Sequence, residues 1–353
     1  VGEVVVTAER REQSLQSVPV AVTAFTAKER DLIGIESFQD LTDFTPGLQY
    51  NTISNRPYIR GIGRNTDNLA TESGVAVYVD GVYFGANAST ILQLDSLFTP
   101  QIEVLRGPQS TLYGRNADGG AINYTSRRPT DDFTAEARAG YDNYDKSWSE
   151  AVVSGPIGHN LSFLVGGAYT DQRGGYFQNV NGPPEGGSVA QGNNGNSFHV
   201  ELQLQAHFGP RFEGWVKFAQ NGFDTGYHTT NETGPYDEQE FPTGSLSPNQ
   251  QYGLCGLPGG AGGLGCNVAG QDAIVPGSVK TLANTTGANP ADTDIRDFDA
   301  DFRAHSRLTE NYIFATNWTY HFDNADLKYT GGWQTFNYYL NFPYSGQGLG
   351  SSV

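Results

Sequence analysis

The sequence predicts a small α+β domain followed by an antiparallel transmembrane β-barrel, with about eight strands of the barrel present. Three observations carry that prediction. The 353 residues include 45 Gly, 19 Tyr and 20 Phe, with only 17% charged residues, which suits many turns and strands with aromatic outer faces. The pattern changes near Pro129, from short mixed segments to long alternating ones. Connections between the alternating segments are short at one end and long at the other, the asymmetry of outer-membrane barrels. No apolar run reaches the roughly 18 residues that a membrane helix requires, but barrel strands alternate and escape that test.

The elements follow in order. Residues 1–17 read as a polar, poorly anchored tail around one apolar run, Val4-Val5-Val6. Within residues 18–130, VPVAVTAF reads as a strand and AKERDLI and SFQDLTDF as short helices. VAVYVDGVYF reads as a hairpin turning at Asp80-Gly81, and IEVL as a further strand. The glycine-rich stretch from Ile102 to Tyr124 is flanked by β on both sides. It fails as a phosphate loop, because Gly107 and Gly114 are too far apart and Arg115-Asn116 stands where Lys-Ser/Thr is needed.

Beyond Pro129, Phe198, Val200, Leu202, Leu204 and Ala206 face one way, and His199, Glu201, Gln203 and Gln205 the other. Phe298, Ala300, Phe302 and Ala304 oppose Asp297, Asp299, Asp301, Arg303 and His305, and Tyr312, Phe314, Trp318, Tyr320 and Phe322 oppose Asn311, Asn317 and His321. Segments of this kind lie near residues 133–141, 147–155, 160–170, 196–206, 211–221, 297–306, 311–322 and 326–336. Lengths of about 10 residues match tilted membrane strands. Tight turns are expected at GPIGHN, near Gly209-Pro210 and at Arg307–Glu310, and long loops at 171–195 and 222–296. A soluble β-sandwich also alternates, but has no need of one-sided loops.

The net charge of −17 argues against a nucleic-acid partner, which requires clustered Lys and Arg. Cys255 and Cys266 lie in LCGLPGGAGGLGCN without His or carboxylate at ligand spacing. They read as a disulfide in an oxidising compartment, the alternative being two free thiols. The six histidines form no HExxH pair and there is no G-x-S-x-G elbow. DFDADFRAHSRL starts like a calcium loop at Asp297, but Phe302 replaces the required Gly and Leu308 the bidentate Glu. Neither a catalytic residue, a metal site nor a cofactor is expected.

Four stretches, taken together and in order, resemble the TonB-dependent outer-membrane receptors. They are EVVVTA (Glu3 to Ala8), RPYIRGIG (Arg56 to Gly63), VAVYVDGVY (Val75 to Tyr83) and EVLRGPQSTLYGRNADGGAIN (Glu103 to Asn123). The resemblance implies a TonB-box tail over 1–17, a plug domain over 18–130, and the N-terminal portion of a barrel over 131–353, with outer-membrane lipid around it. Glu3, Val4, Val5, Val6, Thr7 and Ala8 would form the segment captured by TonB, and its β-branched residues suit addition to a partner's sheet edge. Arg60 and Arg106 match plug arginines that latch onto glutamates of the barrel wall, against a plainer reading as solvated or locally satisfied arginines. Small-molecule ligand contacts would come from the plug apices 64–73 and 84–93, through Arg64, Asn65, Asp67, Asn68, Glu72 and Asn87, unless these are ordinary surface loops.

The implied activity is energised import of a scarce nutrient, such as a ferric siderophore, across the outer membrane of a Gram-negative bacterium. A passive porin and a surface scaffold or adhesin are the rivals. The family closes about 22 strands around its plug. An eight-stranded barrel is filled by its own side chains, whereas a plug of this length has a radius of gyration of about 14 Å. The chain is therefore expected to be a fragment, and the missing initiator Met and signal peptide point to a processed one.

Overall fold

The computed structural model describes residues 5–7, 13–51, 56–63, 72–84, 97–175, 177–179, 191–192, 194–226, 297–298 and 305–341. The plug is built on a five-stranded sheet in the order β3-β8-β9-β6-β7. These strands are β3 (Ala21–Thr26), β6 (Val75–Val79), β7 (Val82–Phe84), β8 (Gln101–Arg106) and β9 (Gly120–Thr125). Within this sheet, among the described residues, only the β6–β9 pairing is parallel. A smaller ladder joins β4 (Leu48–Asn51) to β5 (Arg56–Ile59).

Helix α1 (Ala27–Ile33) starts and stops where its sequence says it should. Thr26 and Glu29 form a reciprocal capping box, and Gly34 ends the helix at φ 77°, its N–H donating to the Arg30 carbonyl. In SFQDLTDF only α2 (Leu41–Phe44) is helical. The first half is diverted into a turn because the Asp40 carboxylate accepts from the Glu36 and Ser37 N–H groups. A one-turn helix, α3 (Ser110–Tyr113), follows β8. The hairpin turns at Asp80 (φ 52°) and Gly81 (φ 82°), the paired left-handed residues that a two-residue hairpin prefers.

Alternation divides the plug sheet into two cores. Val75, Val77, Val79, Ile102, Val104, Ile122 and Tyr124 pack against Ile35, Phe38, Leu41 and Ile59 on one face. Ala76, Tyr78, Leu105 and Ala121 pack with Tyr113 and Ala117 on the other.

The wall is a seven-stranded antiparallel sheet of β10 (Thr134–Asp142), β11 (Lys146–Pro156), β12 (Leu161–Gln172), β15 (Gly195–His207), β16 (Phe212–Gly226), β18 (His305–His321) and β19 (Asp326–Asn341). Between them lie β13 (Phe177–Asn179), β14 (Gln191–Gly192) and β17 (Asp297–Phe298), which form a separate small sheet. The expected alternation holds: Val165, Tyr169, Val200, Leu202, Phe218, Phe314 and Trp333 are exposed outward, while Leu164, Gln203, Lys217, Ala219, Asn311 and Ala315 are buried. Among the described residues the wall does not close on itself, since β10 and β19 are its two ends, and the plug packs on its inner face through Ala219 and Ile313.

Three expectations are corrected. The segments near 297–306 and 311–322 are not two wall strands joined by a tight turn at Arg307–Glu310. Residues 305–321 form one strand, and the wall has seven strands among the described residues. A bulge between Thr309 and Tyr312, with Glu310 at φ 55°, inserts one extra residue. Buried positions therefore switch from Ser306 and Leu308 to Asn311 and Ile313, and that change of phase imitates a strand boundary. Residues 222–226 are strand rather than loop, because β16 continues to Gly226 alongside β18. The tail is not poorly anchored: β1 (Val5–Val6) pairs with β2 (Gln13–Ser14), and Val6 is fully buried.

Candidate functional site

The docking of β1 follows from the alternation of β8 and β9. On the face bearing Leu105 and Ala121, Val6 fills a pocket with Ala76, Tyr78, Tyr113 and Ala117. Two polar residues interrupt that face, Glu103 and its cross-strand partner Asn123. Glu103 is 0% exposed, and a buried carboxylate demands donors. Thr7 supplies them: its N–H donates to Glu103 Oε1 at 2.7 Å and its hydroxyl reaches both carboxylate oxygens at 3.2 Å.

Gln101 ties the same carboxylate to the strand, its Nε2 donating to Glu103 Oε1 and to the Val5 carbonyl, both at 2.8 Å. Asn123 Nδ2 donates to the Tyr113 hydroxyl at 2.8 Å and to Glu103 Oε2 at 3.4 Å. The Tyr113 hydroxyl in turn lies 3.5 Å from the Thr7 carbonyl. Burial pushes the Glu103 carboxyl above its usual range, partly offset by the bonds from Thr7, Asn123 and Gln101.

Of the residues expected in this segment, Val5, Val6 and Thr7 are brought onto the plug, while Glu3, Val4 and Ala8 lie outside the described residues. The docking partners Gln101, Glu103, Tyr113 and Asn123 were missed by sequence reasoning. The available signal was Glu103 itself, a lone acid in the otherwise apolar strand IEVL.

Arg60 and Arg106 converge on one patch. Arg106 Nη1 donates to the Pro46 carbonyl at 3.1 Å, and a Cβ placed on the neighbouring Gly107 would lie 3.2 Å from Arg60 Nη1. Arg60 is exposed. The buried Nε of Arg106 has no hydrogen-bond partner among the described residues.

A plug–wall junction that was not foreseen lies at Asp80. Asp80 and Lys217, with side chains 0% and 5% exposed, pair at 2.7 Å. Asp80 also accepts from the Ser126 N–H at 2.9 Å and hydroxyl at 2.8 Å, and from Arg128 at 3.5 Å. The Arg128 guanidinium stacks 3.5 Å over the Trp215 ring. Burial raises the Asp80 carboxyl, but the charges of Lys217 and Arg128, with bonds from Lys217 and Ser126, outweigh it and hold the group below its usual range. In the sequence Asp80 is legible only as a turn residue and Lys217 only as one polar position of a strand.

Of the residues expected at the apices, Glu72 alone lies within the described residues. It accepts from the Tyr83 hydroxyl and from Asn116 Nδ2, each at 3.1 Å, and faces Arg115 at 3.6 Å. Arg64, Asn65, Asp67, Asn68 and Asn87 lie outside the described residues, as do Cys255 and Cys266.

A family model described as the TonB-dependent receptor plug domain matches residues 14–121. The ferrioxamine B receptor of Salmonella typhimurium is 33% identical over 147 residues, covering 40% of this chain and 20% of that protein. The ferrichrome outer membrane transporter/phage receptor of Escherichia coli is 27% identical over 184 residues, 48% of this chain and 23% of that protein. The solved structure of the ferric yersiniabactin uptake receptor from Yersinia pestis matches with TM-score 0.62 and 19% identity, over 92% of this chain and 42% of its own. This chain therefore spans about a fifth of the curated relatives' length, and the structural likeness speaks for the fold. The plug match assigns residues 14–121 to the TonB-dependent receptor plug domain, and the relatives and the shared plug-and-wall fold make the chain similar to TonB-dependent outer-membrane receptors over their plug and the first part of their barrel.

Proposed function

We propose that the protein imports a scarce nutrient across the outer membrane, driven by TonB and the proton-motive force, with a ferric siderophore as the nutrient class. It works as a receptor and transporter, not an enzyme. The observation that carries the reading is the docked strand: Val5–Thr7 is held on a plug that itself packs on the inner face of a membrane wall. Val5 remains exposed, so one side of the strand is accessible while the other is buried. Ligand bound by the apices would loosen the strand, TonB would take it up by backbone pairing, and the pull would rearrange the plug to open a path. The siderophore class is supported by the names of the relatives. Arg60 and Arg106 fit as latches to wall glutamates, and the unsatisfied Arg106 Nε is consistent with a partner elsewhere.

The test is uptake of radiolabelled ferric siderophores by cells carrying the full receptor. Protonophore should abolish saturable uptake. Val5→Pro removes the N–H that a pairing strand donates, and should abolish uptake while leaving surface binding of the siderophore unchanged. Transport that persists in de-energised cells would instead identify a passive porin, and binding without any uptake a scaffold.

A further inference from the structure

We infer that Glu103 is the residue that retains the N-terminal strand, its buried carboxylate holding Thr7 in place so that loss of this contact frees residues 5–7. The inference rests on the reading of that strand as the partner-binding segment. The plug face beneath Thr7 offers neutral donors to the carboxylate: Gln101 at 2.8 Å and Asn123 at 3.4 Å. The remaining three contacts come from Thr7, through its N–H and its hydroxyl.

Departure of the strand thus strips two of the four donor groups, the Thr7 N–H and hydroxyl, from a buried charge, and a charge so exposed must be hydrated. Docking and desolvation of Glu103 are one event. The carboxylate also sets the register of the strand, because Gln101 bridges it to the Val5 carbonyl, placing Val6 over its pocket between the two polar ties. Among the described residues of EVVVTA, Thr7 is read by the plug through polar contacts and Val6 through its apolar pocket, whereas Val5 points away and is 46% exposed.

A hydrogen bond to a charged group is worth enough to move the docked-to-free ratio by roughly tenfold to a hundredfold. The experiment uses the full-length receptor in liposomes without ligand, spin-labelled at Val5→Cys, with the parent lacking that change as labelling background. Glu103→Ala should raise the mobile fraction of the label by about that factor. Glu103→Gln, which keeps an acceptor but not the charge, and Thr7→Val, which removes only the hydroxyl, should give smaller rises. Binding of the isolated periplasmic domain of TonB should increase in the same order.

A label as immobile in Glu103→Ala and Thr7→Val as in the parent overturns the inference. If Glu103→Ala fails to fold, Thr7→Val decides alone, since it leaves the plug sequence untouched. An immobile label together with uptake that Val5→Pro blocks would remove the retaining role and keep the importer. A mobile label together with normal uptake in Val5→Pro would do the reverse.

Discussion

At the scale of single residues, charge burial decides the behaviour of this plug. Asp80 and Glu103 are both enclosed carboxylates, but their surroundings push them in opposite directions. Glu103 meets Thr7, Gln101 and Asn123, so burial dominates and its proton is held more tightly than usual. Asp80 meets burial too, but Lys217, Arg128 and Ser126 reverse it and its proton is held more weakly. The sign for stability follows from linkage. A depressed folded-state value contributes stability that is fully present above the unfolded aspartate value of about 3.9, and is lost as pH falls through the folded value. The plug–wall junction should therefore hold through mild acid and loosen only below about pH 4. Thermal melting of the full receptor against pH would show this acid limb, and Asp80→Asn should flatten it.

At the scale of elements, the motif around Gly119 and Gly120 illustrates why a glycine-rich stretch here is sheet and not ligand loop. Gly120 opens β9 at φ 151°, and a Cβ on it would lie 2.1 Å from the Leu105 carbonyl oxygen and 2.9 Å from Ile59 Cδ1. The β8–β9 pairing, Arg106 with Gly120 and Leu105 with Ala121, thus depends on the missing side chain. Gly120→Ala should destabilise the plug by about 3 kcal/mol. Hydrogen exchange in the full receptor would register this as faster exchange in β8 and β9, with the wall strands unchanged.

At the scale of the whole molecule, the plug is seated by knobs against small residues and by the buried ionic junction at Asp80. Phe98 lies where a Cβ on Gly166 would be 2.9 Å from its ring, and Val82 where one on Gly332 would be 2.7 Å away. Nearer the surface, Arg138 of the wall joins Asp31 at 2.8 Å and Glu150 at 3.1 Å. These partly exposed pairs contribute little. The enclosed Asp80–Lys217 pair differs, because removing one partner strands a charge. Lys217→Ala should cost about 3–5 kcal/mol of plug stability in the intact receptor. Adding Asp80→Asn to Lys217→Met, which keeps a residue suited to the left-handed turn, should recover most of that loss. Denaturant unfolding followed through Trp215 fluorescence would measure both.

The sequence by itself determined the class, the inward and outward faces of the wall, and the family motifs, because period-2 alternation and turn chemistry are written locally. Helix α1 was legible to the residue, since its capping box and terminal glycine are adjacent in the chain. Tertiary structure alone decided that β18 is one strand, because a bulge reverses local alternation and only pairing with β16 and β19 restores it. It alone joined Thr7 to Glu103 and Asp80 to Lys217. Those contacts span 96 and 137 positions, and a buried charge carries no mark in sequence of the distant group that will satisfy it.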